Sequence, residues 1–76
     1  MRLHMRAHQH PTPSPELLKE VMGLLVMRGE TLSSWARMNG IAKQNARKAL
    51  IGEWTGPKAA ELVMRIYSEA RGRDAA

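Results

Sequence analysis

The stretch LSSWARMNGIAKQNARKAL, residues 32–50, has the spacing of two short helices joined by a tight turn. Residues at helical spacing predict one helix over 32–39 and a second over 43–50. Gly40 lies between them, where the turn needs a positive φ that glycine adopts without strain. Ala36 lies where the helices cross, because only a small side chain allows close approach. The pattern favours a helix-turn-helix over an ordinary αα-hairpin, and the core-facing residues after the turn are Ile41, Ala46, Ala49 and Leu50.

Two further helices are predicted outside this stretch. Ser14 caps the first, with Pro15 at a position where its missing N–H has no helical partner, and Gly29 ends it. Thr31 is the predicted cap of the helix over 32–39, and Thr55 caps the last helix. The inner stripes are Leu18, Val21, Met22 and Leu25 in the first helix and Ala59, Leu62, Val63, Ile66 and Ala70 in the last. No strand-like alternation competes, so the fold class is all-α, a compact four-helix domain with room for a fifth helix.

Length and composition exclude several classes of protein. A chain of 76 residues buries only about 60% of its unfolded surface, which is too little for a large catalytic cleft. It has no cysteine, and this excludes disulfides, thiolate metal sites and a thiol nucleophile. No apolar run approaches about 18 residues, so no membrane span is predicted. A small chain without disulfide bonds is expected in the cytoplasm.

The chain divides into a tail, a domain and a short end. Residues 1–13 are predicted to be a disordered, basic and histidine-rich tail, residues 14–71 the folded domain, and residues 72–76 a frayed C-terminus. A metal site and a basic arm that reaches DNA are the alternatives for the tail, and their residues are His4, His8, His10, Arg2 and Arg6. We favour a plain leader, because no carboxylate or thiolate joins the histidines. We therefore expect no metal site and no cofactor.

The positive charge of the chain is concentrated in its centre. The net charge is +5, and residues 31–52 contain four cations and no acid, namely Arg37, Lys43, Arg47 and Lys48. An acid-free block that coincides with a helix-turn-helix predicts a surface for nucleic acid. The alternative is a solvated face that only keeps the protein soluble.

A known pattern runs through residues 17–70 and is carried by Trp35-Ala36-Arg37, Gly40, Ala49-Leu50, Trp54 and Gly56-Pro57-Lys58. In these residues the chain resembles the lambda-repressor-like, or Cro-type, helix-turn-helix domains, and among them the Ner-type regulators of transposable phages. The resemblance implies sequence-specific binding of double-stranded DNA, transcriptional control such as repression, and a phage or prophage origin. Two residues depart from the pattern. Asn39 stands where the family often has an apolar residue, and Ala42 where it often has a Ser or Thr cap.

On this template the helix over 43–50 enters the major groove and presents its outward residues to DNA. Gln44 is predicted to read adenine and Arg47 guanine, because an amide and a guanidinium can each form two hydrogen bonds with those bases. The methyl group of Ala42 is expected to contact a thymine methyl. Phosphate contacts are predicted for Thr31, Ser33, Ser34, Arg37, Lys43, Asn45 and Lys48.

A homodimer is expected, at least on DNA, because one recognition helix reads only about four base pairs. The predicted dimer seam consists of Val63, Met64 and Tyr67. Trp35 and Trp54 are predicted to anchor the core, and a DNA contact by Trp54 is the alternative.

Two functions from different classes remain open. The first is a transcriptional regulator that reads double-stranded DNA, and the basic helix over 43–50 favours it. The second is a small protein-binding module on the same fold that occupies a host or phage protein. Its partner surface would be formed by Met27, Met38 and Met64. An enzyme is not expected, because the sequence has no nucleophile–base pair, paired carboxylates, HExxH or phosphate loop.

Overall fold

The predicted helices are all present, and each lies within one or two residues of its expected position. The computed structural model describes residues 11–72. Its helices are α1 (Pro15–Met27), α2 (Leu32–Met38), α3 (Lys43–Ile51) and α4 (Pro57–Ala70). Residues 11–72 contain no strand and no fifth helix, so the all-α prediction is confirmed. The predictions for Arg2, Arg6 and the three histidines lie outside the described residues.

Side-chain caps begin α1 and α2 as the sequence predicts. Ser14 Oγ accepts a hydrogen bond from the backbone N–H of Leu17 at 3.0 Å. Thr31 Oγ1 accepts from the N–H of Ser34, while Ser34 Oγ accepts from the N–H of Thr31, each at 3.0 Å. This reciprocal pair is a capping box, and it satisfies two backbone donors that the helix itself cannot pair.

The predicted cap of α4 is wrong. The N-cap residue is Gly56, not Thr55, and no side chain caps this helix. The reason is the position of Pro57, which takes the first helical residue and therefore leaves the cap to the residue directly before it.

The turn between α2 and α3 closes through the backbone. Ile41 N–H donates to the carbonyl oxygen of Ala36 at 2.9 Å, and Gly40 N–H donates to that of Arg37 at 3.2 Å. These two bonds form the Schellman pattern, which places a left-handed residue directly after the helix. Gly40 is that residue, with φ of +67°, and the predicted need for glycine in the turn is confirmed.

One apolar core joins the four helices, and no polar or charged residue within 11–72 is buried. Val21, Leu25, Leu50 and Ile66 are its largest fully enclosed side chains. Each such side chain contributes about 1.5–3 kcal/mol of hydrophobic stabilisation. The remaining core residues are Leu17, Leu18, Leu32, Trp35, Ala36, Ala46, Ala49, Ala59, Leu62, Val63, Tyr67 and Ala70. Trp35 is thus a core anchor as predicted, whereas Met22, expected on the inner stripe of α1, is exposed.

The C-terminal end of α3 is tied to the start of α1. The N–H of Ser14 donates to the carbonyl oxygen of Leu50 at 2.8 Å. Gly52 follows α3 with φ of +96°, and a Cβ there would lie 3.6 Å from the Cβ of Pro13. Pro13, which the sequence assigns to the tail, therefore packs against the domain. Trp54 lies half-buried against the core just beyond this junction.

Two of the three predicted seam residues are not available to a second copy of the chain. Val63 and Tyr67 are buried in the chain's own core. The Tyr67 hydroxyl donates to Glu20 Oε2 on α1 at 3.3 Å. Only Met64 of the predicted seam is exposed, at 41%.

The capping box makes Thr31 important for stability. Replacing Thr31 by Ala removes the acceptor for the Ser34 N–H and should lower the free energy of unfolding by about 1 kcal/mol. Thr55→Ala is the matched control, because no side chain caps α4, and it should change stability by less than about 0.5 kcal/mol. Urea denaturation of both variants checks this. Equal losses in the two variants would contradict the observed caps.

Tyr67 should titrate above its ordinary value. Burial raises its pKa, the negative charge of Glu20 raises it further, and Arg71 partly opposes the shift. Because the folded state favours the neutral phenol, stability from this group is present below pH 10 and is lost as pH rises through the folded-state pKa. Tyr67 is the only tyrosine, so tyrosinate absorbance reports it directly.

Glu20→Gln should lower the pKa of Tyr67, because it removes the neighbouring charge. Glu16→Gln changes an exposed carboxylate on the same helix and should leave the pKa of Tyr67 where it is. A wild-type midpoint at or below pH 10 would contradict the arrangement.

Candidate nucleic-acid interface

Helix α3 separates its residues into a buried edge and a cationic outer surface. Ala46, Ala49 and Leu50 are fully buried. The predicted DNA contacts within α3 and at its N-cap are all exposed, namely Ala42, Lys43, Gln44, Asn45, Arg47 and Lys48. The structure therefore brings the predicted base-reading and phosphate-binding residues of α3 together on one accessible surface. We call this set of six residues the α3 surface.

The spacing within the α3 surface places its long side chains in adjacent rows. Lys43 and Arg47 are four residues apart, as are Gln44 and Lys48, so each pair is stacked along the helix. None of these four side chains bonds to another side chain within residues 11–72, so their donors face solvent. An α-helix with its side chains is about 10–12 Å across, which is comparable to the width of about 12 Å of the major groove of B-DNA.

The start of α3 has no side-chain cap. Ala42 is the N-cap residue and makes no side-chain hydrogen bond, as the departure from the family pattern predicts. Its carbonyl oxygen instead accepts from the N–H groups of Asn45 and Ala46 at 3.0 and 3.2 Å. The first backbone N–H groups of α3 thus have no side-chain acceptor, and the helix dipole makes this end attractive to negative charge.

The predicted phosphate contacts of α2 fall into two groups. Ser33 and Arg37 are exposed and four residues apart, so they share the outer side of α2. Thr31 and Ser34 are occupied in the capping box, and the Ser34 hydroxyl also donates to the carbonyl oxygen of Thr31 at 3.0 Å. Ser34 has no second O–H, so its predicted phosphate contact requires this bond to break.

An open groove separates the start of α3 from α4. Its volume is about 440 Å³, and it places Lys58 and Arg65 of α4 beside Ala42 and Asn45. Ile41, Trp54, Glu61 and Leu62 complete most of its lining. Sequence reasoning gave Lys58 and Arg65 no role of their own. Their separation of seven residues, two helical turns, was the available signal that they share one side of α4.

Residues 11–72 hold no group of three or more His, Cys, Asp or Glu side chains that is able to bind a metal ion. None of the four helices is both long enough and apolar enough to cross a membrane.

No protein-family model matches this chain, and no curated protein or solved structure matches it either. The resemblance to Cro-type domains therefore rests on the residues quoted for it and stays a prediction.

A cap at the start of α3 should stabilise the protein. Ala42→Ser adds a side-chain acceptor for an open N–H and should raise the free energy of unfolding by about 1 kcal/mol. Ala60→Ser makes the same chemical change at an exposed interior position of α4, where Ser is a weaker helix former, and should not stabilise. Urea denaturation checks both. A gain in neither variant would mean that the first turn of α3 is satisfied in another way.

Proposed function

We propose that the protein is a sequence-specific regulator of transcription that binds double-stranded DNA through a Cro-type helix-turn-helix formed by α2 and α3. One observation carries the proposal. The six residues of the α3 surface are exposed together, contain three cations and no acid, and are backed by a buried edge of small and apolar residues. Such a surface fits the negative potential and the dimensions of the major groove.

The side chains of the α3 surface divide into two roles. Gln44 and Arg47 are the proposed base-reading residues, because an amide and a guanidinium form paired hydrogen bonds with adenine and guanine. Lys43 and Lys48 are the proposed phosphate contacts, since an ammonium group is a point charge without such a fork. On α2, exposed Ser33 and Arg37 would fix the register on the sugar-phosphate backbone. The proposed smaller contacts are Ala42, Asn45 and Thr31.

A homodimer on DNA is part of the proposal, because a single nine-residue helix contacts too few bases to select a genomic site. Met64 is the one residue of the predicted seam whose side chain is accessible. A phage or prophage origin and action in the bacterial cytoplasm follow from the family resemblance.

A protein-binding module is the second candidate. Its supporting observation is the exposure of large apolar side chains, with Met27 at 83% and Met38 at 76%. Both side chains lie at the C-terminal ends of their helices. Exposed methionines of this kind can adapt to different partners. Selection of DNA by the purified chain decides between the two candidates.

The deciding experiment is selection of bound sequences from a random duplex library by the purified chain. The expected result is a short enriched sequence, with two half-sites about one helical turn apart if the chain pairs on DNA. Affinity for this DNA and for a scrambled duplex is then measured across salt concentrations. The absence of any enriched sequence would refute the proposal that the protein is a sequence-specific regulator.

Substitutions in the α3 surface should separate base reading from phosphate binding. Gln44→Ala and Arg47→Ala should each weaken binding to the selected DNA by about 1–3 kcal/mol and leave scrambled DNA less affected. Lys48→Ala should weaken both duplexes similarly and reduce the salt dependence. Lys19→Ala, an exposed lysine on α1, is the control and should change neither. Equal losses on both duplexes for Arg47→Ala would remove its base-reading role.

A further inference from the structure

Asn39, one of the two residues that depart from the family pattern, bonds to two different helices. Its Nδ2 donates to the carbonyl oxygen of Trp35 at 2.8 Å, and the backbone N–H of Asn39 donates to the same oxygen at 3.1 Å. Its Oδ1 accepts from Arg65 Nη2 on α4 at 2.6 Å. The amide thus links the end of α2, one residue before the Gly40 turn, to the middle of α4.

Glu69 completes the connection from the other side. The indole Nε1–H of Trp35 donates to Glu69 Oε1 at 2.8 Å. Arg65 Nε lies 3.9 Å from Glu69 Oε2, and the Arg65 guanidinium lies 5.8 Å from the centre of the Trp35 ring. Four residues therefore form a closed network, namely Trp35 of α2, its C-cap residue Asn39, and Arg65 and Glu69 of α4. We call this network the α2–α4 clasp.

The clasp acts on the helix with the least other support. Helix α2 has seven residues, too few to be stable alone, and it packs closely only on α3. Each of the other helices packs on at least two neighbours. The side chains of the clasp consequently add a direct restraint between α2 and α4 to the burial of Leu32, Trp35 and Ala36 in the core.

We propose that Asn39 and Arg65 are positioning residues that hold α2 at the angle needed for selective binding, an inference that rests on the proposed DNA-binding function. The phosphate-binding side of α2 and the base-reading side of α3 must match fixed spacings on one duplex. The clasp lies at the end of α2 beside the turn into α3. Its loss therefore lets the position of α2 vary relative to both α3 and the duplex. Neither residue reads a base.

The clasp affects orientation more than folding. The side chains of Arg65 and Glu69 are 50% and 42% exposed, and ion pairs this accessible contribute little to the free energy of unfolding. The core beneath α2 remains intact without them, because Leu32, Trp35 and Ala36 are buried against other residues. Base choice should therefore weaken in variants that still fold.

The test uses the full chain with the selected and the scrambled duplex. Asn39→Ala and Arg65→Lys should each reduce the ratio of the two affinities by roughly threefold to thirtyfold. Binding to scrambled DNA and its salt dependence should stay close to wild type in Arg65→Lys, because the charge is kept. Arg71→Lys is the matched control on the same helix, since Arg71 lies over Tyr67 and not over α2. It should leave the ratio unchanged.

A second measurement concerns the free protein. Hydrogen exchange of the Trp35 indole N–H should be faster in Asn39→Ala and Arg65→Lys than in wild type, because each variant removes a bond that helps to hold Arg65 and Glu69 beside Trp35. The Trp54 indole, outside the clasp, serves as the internal reference. Unchanged ratios in both variants would overturn the proposal, as would equal losses on both duplexes, which would mean that the substitutions weaken DNA binding in general and not base choice. If the wild-type protein selects no DNA, the proposed DNA-binding function is wrong. The hydrogen-exchange rates of the Trp35 indole then decide by themselves whether the clasp holds α2.

Discussion

The burial of one edge of α3 is the constraint on which the rest of the molecule depends. Ala46, Ala49 and Leu50 are fully enclosed, and the helix cannot rotate about its axis without exposing them. Their enclosure leaves Lys43, Gln44, Arg47 and Lys48 on the outer side. The small size of the two alanines also lets neighbouring helices approach, so the same residues set both the packing of α3 and the direction of its charge.

Support for α3 comes from its ends as well as from its edge. At its N-terminal end the Gly40 turn joins α3 directly to α2. At its C-terminal end the carbonyl oxygen of Leu50 accepts a hydrogen bond from the Ser14 N–H. The side chains of the α3 surface are not held by bonds of this kind, and the first turn of α3 has no side-chain cap. A rigidly held helix with open donors and free cations suits a surface that binds an anionic partner, because little conformational freedom is lost when it does so.

Local rules predicted much of the fold and failed where neighbouring elements decide the outcome. The caps Ser14 and Thr31 and the turn at Gly40 follow from short-range chemistry, so the sequence predicts them correctly. Thr55 was wrong because Pro57 fixes the cap one residue later. This short-range effect could have been predicted from the position of Pro57 in the sequence. The burial of Val63 agrees with the predicted inner stripe of α4, but that of Tyr67 was not predicted, since helical spacing does not say how wide a stripe the packed neighbours will cover.

The sequence by itself determined the all-α class, the two helices around Gly40 and the acid-free block of charge, because periodicity, turn chemistry and composition are local properties. Tertiary structure alone decided that Asn39 bonds to Arg65, twenty-six residues away, and that Trp35 bonds to Glu69. It also decided which residue of the predicted seam is accessible. Contacts between distant residues depend on how the helices pack, and one sequence carries no direct signal of that geometry.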